Sequence, residues 1–231
     1  TTTQVQALTA DQVAGLSTSQ LAALSAAQIG KLGTSQIQAL TTDQAGELTA
    51  TQVAGLTTTQ ISKLEAEDLA ELSTAAIAAL SATQVGALSN QQIADLSTTQ
   101  AQALTASQLA GLSTAQVASF ETADLAKLTT SALSGLTTTQ VAALDADQIA
   151  SLTTTQFAKL SADQVGAINT NAIPGLTTSQ AQALTVAQAS GLSAGQIGQM
   201  DVADVAKLTS SVISALSTTQ VAALTGDLAI A

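Results

Sequence analysis

Three pairs of acidic residues are the places where residue type and spacing could do chemistry in this sequence. The members of each pair lie three residues apart: Glu65 and Asp68, Glu121 and Asp124, Asp201 and Asp204. Carboxylate oxygens are ligands for hard cations such as Ca²⁺. The competing interpretation is that these acids cap a helix N-terminus and complement its dipole. Because no third ligand follows in a fixed register, capping is the favoured interpretation, and the six residues are candidate calcium ligands.

Catalytic chemistry has few residues to draw on. The chain contains no His, Cys, Trp or Tyr, and its five basic residues are all Lys. Disulfides, thiol chemistry and zinc sites are therefore excluded. A nucleophilic Ser or Thr would need activation by Lys or a carboxylate, and no hydroxyl stands out, since Ser and Thr recur throughout. The sequence predicts a protein that is not an enzyme and uses no cofactor.

Charge and hydropathy restrict the partners. The net charge of −11 opposes binding to nucleic acid or to an anionic membrane. No apolar run approaches the roughly 18 residues of a spanning helix, so no membrane insertion is expected. A protein or a glycan remains as a partner, as does end-to-end association of identical copies. The chain opens on "TTTQ" without Met, which we interpret as the start of a segment of a larger protein.

An eight-residue repeat organises the whole sequence. Residues 1–224 divide into 28 octads without an insertion, and a partial repeat, residues 225–231, follows. The consensus is [ST]-[TA]-x-Q-[VIL]-[AG]-x-L, with Gln at position 4 in 21 octads and Leu at position 8 in 25. The sequence therefore predicts one repeat domain over residues 1–231.

Each octad carries the signals of a short capped helix. Ser or Thr at position 1 is a preferred N-cap, and Gln at position 4 completes a capping box. Leu before the cap and the apolar residue at position 5 are placed to form a hydrophobic staple. Gly at position 7, as in Gly15, Gly55, Gly111 and Gly135, predicts a left-handed exit from the helix.

Two other folds compete with short helices. In one continuous helix the apolar stripe would drift about 80° per octad, so no partner could cover it. A β-solenoid is favoured by Thr and Val, but "VAAL" does not alternate, and Ala, Leu and Gln form helices. A six-residue helix, about 9 Å long, must stack on neighbours to persist. We predict an all-α solenoid with one short capped helix per octad, with the β-solenoid as the alternative.

Longer similarities and single exceptions add detail. Blocks of six octads starting at Thr41, Ser97 and Thr177 resemble one another, and their offsets of 56 and 80 residues differ by three octads. This difference suggests that three octads form a structural unit.

Phe120 and Met200 replace Leu at position 8 and are expected to fill the core. Pro174 predicts a local irregularity in its octad.

The octads "TTTQVAAL", "STTQVAAL" and "TADQVAGL" resemble the Thr/Ala/Gln/Leu-rich arrays of very long bacterial surface and secreted proteins, often described as adhesin-like. The resemblance covers essentially the whole chain and implies an exported, structural context at the cell surface or outside the cell. It carries over no functional residues. The first functional hypothesis is a structural spacer or scaffold, and the second is a binding module whose outer face takes a protein, a glycan or calcium.

Overall fold

The computed structural model describes the backbone of residues 1–228 and the side chains of residues 1–224. Residues 229–231, the end of the predicted partial repeat, lie outside this range. The chain divides into two compact units, Thr1–Leu112 (unit 1) and Ser113–Ala231 (unit 2). The octad register continues through both units in the sequence, and a single solenoid over residues 1–231 stays a prediction.

Unit 1 holds one short α-helix in each of octads 1 to 14. The helices are α1 Thr2–Gln6, α2 Ala10–Ala14, α3 Thr18–Ala22, α4 Ala26–Ile29, α5 Thr34–Gln38, α6 Thr42–Gly46, α7 Ala50–Ala54, α8 Thr58–Ile61, α9 Ala66–Glu71, α10 Thr74–Ala79, α11 Ala82–Val85, α12 Asn90–Ala94, α13 Thr98–Ala103 and α14 Ala106–Ala110.

Unit 2 continues the pattern with one exception, a 3₁₀ helix at Thr170–Gly175. Its α-helices are α15 Thr114–Ala118, α16 Thr122–Leu125, α17 Thr130–Leu133, α18 Thr138–Val141, α19 Ala146–Ser151, α20 Thr154–Lys159, α21 Ala162–Gly166, α22 Thr178–Ala183, α23 Val186–Gly191, α24 Ala194–Gly198, α25 Val202–Val205, α26 Ser210–Ala215 and α27 Thr218–Leu228. No strand occurs within residues 1–228, so the all-α prediction is confirmed and the β-solenoid alternative is wrong.

Capping begins each regular helix as the octad pattern predicts. At Thr137, the hydroxyl oxygen accepts a hydrogen bond from the Gln140 backbone N–H at 3.2 Å. The Gln140 side-chain oxygen in turn accepts from the Thr137 backbone N–H at 2.7 Å. Because both bonds lie within one octad, they define where each helix starts without help from distant residues.

The helix ends differ from the prediction at position 7. Gly15, Gly55 and Gly111 all have φ near −80°, in the right-handed helical region, and none of the described residues, Gly135 included, has a positive φ. The left-handed exit is therefore wrong. The chain instead leaves the helix through an extended residue at position 8, such as Leu104 with φ −64° and ψ 142°.

The apolar core is built from positions 5 and 8, as expected from the consensus. Ile61 and Leu64 are 0% and 4% exposed, and this pattern recurs through both units. Phe120 and Met200 are buried at position 8, which confirms that they fill the core. Two larger apolar side chains per octad build this core in a chain whose sequence has only two aromatic residues, both Phe.

Neighbouring coils are related by three and by four octads. Among the described residues of each unit, the helices that pack closely are three octads apart, as α4 with α7 and α20 with α22 are, the 3₁₀ helix being counted as octad 22. Side-chain hydrogen bonds reach four octads back, as from Gln60 to the Leu32 carbonyl oxygen. Each unit is thus an α-solenoid whose coil takes between three and four octads. The three-octad unit suggested by the block offsets therefore corresponds to the spacing of helices that pack against each other.

Glycine at position 7 allows the closest approach between coils. A Cβ atom added to Gly55 would lie 2.8 Å from the Ala26 Cβ and 2.9 Å from the Ala26 carbonyl oxygen, three octads earlier. Gly111 meets Ala82 in the same way, at 2.9 and 2.8 Å. Steric space between backbones, rather than a left-handed turn, therefore explains Gly55 and Gly111.

Pro174 coincides with the single change of helix type in the described chain. Position 6 of a regular octad donates its N–H to position 2, as Gly30 does to Ala26 at 2.8 Å. Proline has no N–H to donate, and the octad forms a 3₁₀ helix with Ala172 N–H bonded to the Asn169 carbonyl at 2.8 Å. The predicted local irregularity is confirmed.

Candidate functional site

The position-4 glutamine joins two coils as well as capping its own helix. In octad 13, the Gln100 side-chain oxygen accepts from the Ser97 N–H at 3.0 Å. Its Nε2 donates to the carbonyl oxygens of Leu69, Ala70 and Leu72 at 2.8, 3.0 and 2.9 Å. The Gln100 side chain is only 2% exposed. One amide therefore satisfies the N-terminus of one helix and the C-terminal carbonyls of another, four octads earlier.

This inter-coil bond recurs along both units. The glutamines that donate to a position-8 carbonyl four octads earlier are Gln36, Gln44, Gln52, Gln60, Gln84, Gln92, Gln100, Gln108, Gln148, Gln156, Gln164, Gln180, Gln188, Gln196 and Gln220. We call these contacts the glutamine ladder.

Sequence reasoning predicted the capping box but missed the ladder, although a signal was present. A capping box takes Glu as readily as Gln, because it needs only an acceptor. In this chain Glu never occupies position 4. The exclusion of Glu from 28 octads indicates that the amide must also donate, and a carboxylate cannot.

The three acidic octads break the ladder with a buried carboxylate. Asp68, Asp124 and Asp204 stand at position 4 and are each 2% exposed. Among the described residues, the Oδ2 atom of each has no hydrogen-bond partner. A buried polar atom without a partner is costly, so these carboxylates are the strongest candidates for a functional site.

The acids at position 1 of the same octads do not cap their helices. Glu65, Glu121 and Asp201 are exposed, and within the described chain their side chains make no capping hydrogen bond. Asp145, by contrast, accepts from the Gln148 N–H at 2.8 Å. The difference is the neighbour at position 4, because a second carboxylate there repels the first whereas an amide does not. The interpretation that these pairs cap by hydrogen bonding is therefore wrong, and they retain only the favourable helix dipole.

Burial and like charge both perturb the buried acids. Desolvation, followed by the charges of Glu65 and Glu67, raises the pKa of Asp68 from 3.8 to about 6. Burial and Glu121 raise the pKa of Asp124 to about 6. Burial and Asp201 raise the pKa of Asp204 as well. Each shift has the sign expected when the charged form is taken out of water beside another anion.

These shifts predict a protein that loses stability as the pH rises. Between about pH 4 and pH 6 the folded chain holds protons on Asp68 and Asp124 that the unfolded chain has released, so the free energy of unfolding falls through this range. Each residue contributes a loss of about 1–3 kcal/mol by pH 7. Urea denaturation in calcium-free buffers from pH 4 to pH 7 measures the slope. The double variant Asp68→Asn, Asp124→Asn should flatten it, and an unchanged slope in this variant would contradict the assignment.

A Gln-free octad also opens a groove in unit 2. Octad 22 has Ala172 at position 4, so no amide reaches toward Leu144 four octads earlier. An open groove of about 270 Å³ lies there, lined in part by Leu144, Asp145, Asn169 and Ala172. The groove therefore lies beside an octad that has no ladder glutamine.

Metal and membrane features are limited within the described residues. No group of three or more acidic side chains in this part of the chain is arranged to hold a metal ion. None of its helices has the length and apolar character needed to cross a membrane. Any cation at an acidic octad would therefore need main-chain oxygens or water as further ligands.

The capped octads, the glutamine ladder and the regular coil spacing define an α-solenoid repeat protein. The model of the ALTTAQ repeat family matches residues 13–50, 61–98 and 117–154. The family's name corresponds to positions 7, 8 and 1–4 of the octad, as in "ALTTDQ" at residues 39–44. These three matches confirm the repeat array and indicate a structural rather than a catalytic module. No curated protein matches the chain.

Proposed function

We propose that this chain is a non-catalytic spacer or scaffold module of a larger bacterial surface or secreted protein. The observation that carries the proposal is the glutamine ladder, in which the side-chain amides of Gln84 and Gln108, for example, donate to the octad four positions earlier. Each coil then depends on its immediate neighbours, so an array gains length without changing its local contacts. A module of this kind sets a distance between the segments that flank it.

Small-angle X-ray scattering on a lengthened chain tests the spacer role. A second copy of residues 41–96 inserted after Leu96 adds seven whole octads, 56 residues to the original 231. A spacer should increase its maximum dimension by about a quarter, in proportion to length. A compact domain would instead increase its radius of gyration by about 9%. Circular dichroism on both proteins controls for folding, since helicity per residue should stay constant.

The location of the module is a separate part of the proposal. Support comes from the resemblance of "TTTQVAAL" and its variants to arrays of exported proteins and from the absence of Cys. We expect an antibody against this chain to label intact cells of the source organism or to detect the protein in the medium. Detection only after lysis would contradict this location, and it would leave the spacer geometry open to the scattering test.

The second candidate function is a binding module on the outer face of the solenoid. A protein or glycan ligand stays a prediction. The calcium version is favoured by a specific observation, the three buried Asp carboxylates at position 4 with an unpartnered oxygen.

A further inference from the structure

Acidic residues at positions 1 and 4 occur together. In each of the three octads with Asp at position 4, position 1 is also acidic, whereas in the other 25 octads position 1 is acidic only at Asp145. Position 1 is Glu in two of these octads (Glu65 and Glu121) and Asp in the third (Asp201), so the negative charge is the shared property. Two carboxylates at one helix end repel each other. A cation bound between the two carboxylates would offset this repulsion.

The fold provides no hydrogen-bonding role for either acid. Within the described residues, Glu65 and Asp201 make no capping bond, and Oδ2 of Asp68 and of Asp204 is buried without a partner. Capping and ladder bonds are the two roles that the regular octads assign to these positions. The position-1 acid therefore lacks the capping bond of a regular octad, and the Oδ2 atom of the position-4 acid has no partner.

The register of the ladder points to a main-chain oxygen as a further ligand. The ladder brings each of its position-4 glutamines to the position-8 carbonyl four octads earlier, at 2.8 Å between Gln92 and Leu64, for example. In the same register, Asp68 corresponds to the Leu40 carbonyl and Asp204 to the Leu176 carbonyl. In this register a carboxylate would present an oxygen where the ladder amide presents an N–H donor. Several oxygens without a donor are the environment that a hard cation takes.

We propose that the acidic octads bind Ca²⁺ through the carboxylates of positions 1 and 4 and, in octads 9 and 26, the position-8 carbonyl oxygen four octads earlier. In the acidic octads the ion connects adjacent coils, as the glutamine amide does in the regular octads. Two carboxylates and one carbonyl leave coordination positions that water can fill. Ca²⁺ tolerates such an irregular set of ligands, whereas Mg²⁺ requires a nearly ideal octahedron. This proposal rests on the ladder geometry and does not depend on the spacer role.

The affinity should be that of an extracellular module. A helix N-terminus carries partial positive charge, which opposes a cation at positions 1 and 4, and only two charged ligands offset it. We therefore expect dissociation constants on the order of 10⁻⁴–10⁻³ M, the range of Ca²⁺ modules that work outside the cell.

Equilibrium dialysis and thermal melting on the full chain test the site. At pH 7.5 we expect three Ca²⁺ ions per chain, and in 10 mM CaCl₂ a melting temperature about 8–30 °C higher than in NaCl of equal ionic strength. The variant with Asp68→Gln, Asp124→Gln and Asp204→Gln restores the consensus and should fold. It should bind no Ca²⁺ and show no calcium-dependent rise.

A charge-matched control separates a site from general screening. The variant with Asp11→Asn, Asp147→Asn and Asp163→Asn removes three exposed carboxylates from octads that keep Gln at position 4. It should retain the full Ca²⁺ response. An equal response of the original chain to Mg²⁺ and Ca²⁺, or a response that survives in the Gln variant, would overturn the proposal. Neither outcome would affect the scattering test of the spacer.

Discussion

Replacing Gln100 with Ala should lower the free energy of unfolding by about 2–4 kcal/mol. The substitution removes the capping-box acceptor and takes away the side-chain donor of the Leu72 carbonyl oxygen, whereas the Leu69 carbonyl keeps the Leu72 N–H. Each buried acceptor left without a partner costs about 1–3 kcal/mol. Urea denaturation followed by circular dichroism measures the loss, and hydrogen exchange shows whether it is local to these coils, since repeat arrays can unfold in parts.

Gln20 is the matched control for this prediction. It forms the same box with Ser17, with bonds of 2.8 and 3.2 Å, but it lies in octad 3 and is exposed. Gln20→Ala should therefore cost only the cap, about 1 kcal/mol. Equal losses for the two variants would show that the inter-coil bonds contribute nothing.

A second variant separates capping from the ladder at the same residue. Gln100→Glu keeps an acceptor for the Ser97 N–H but replaces the amide donor with a carboxylate that faces carbonyl oxygens. At pH 7 we expect a larger loss than for Gln100→Ala, and at pH 4 a partial recovery, because a protonated carboxyl group can donate again. A pH-independent loss would contradict this explanation.

Gly55→Ala should lower the free energy of unfolding by about 1–3 kcal/mol through a steric clash. The added Cβ would lie 2.8 Å from the Ala26 Cβ and 2.9 Å from its carbonyl oxygen, so the two backbones must move apart. Overpacking of this kind costs about 1–3 kcal/mol. The melting temperature and the urea midpoint measure the effect.

Gly15 provides the control, because it shares position 7 and a φ of −79° but has no octad three places before it. An added Cβ there would meet carbonyl oxygens of its own octad at 3.3 and 3.7 Å. Gly15→Ala should be neutral or stabilising by up to about 1 kcal/mol, since Ala restricts the unfolded chain. Destabilisation of both variants to the same extent would indicate a backbone effect instead of a clash.

The local part of the fold could be predicted from the sequence, because its causes lie within eight residues. Thr137 and Gln140 form their box because N-cap and N3 are fixed offsets in any helix. Pro174 changes the helix type because it lacks one N–H. Val at position 5 and Leu at position 8 reach the core because they are the larger apolar side chains of the octad.

The contacts between coils could not be predicted in the same way. Gly55 was assigned to a left-handed turn by the rule for isolated helices, whereas its reason is Ala26, 29 residues away. Asp68 was interpreted as a cap, because nothing in octad 9 shows that position 4 is buried by another coil. The distance between coils depends on side-chain volume across the interface, which a consensus of local offsets does not contain.

The glutamine ladder has a consequence for how such a sequence can change over generations. Its acceptors are main-chain oxygens, so an amide recognises a neighbouring octad without regard to that octad's side chains. Whole octads can therefore be duplicated, deleted or exchanged by recombination, and the new neighbours still bond. The glycine contacts work differently, since a Cβ added to Gly111 would clash with Ala82, three octads earlier. Exchange of octads should therefore preserve the contacts between coils along most of the array, except at the few positions where a glycine is packed against another coil.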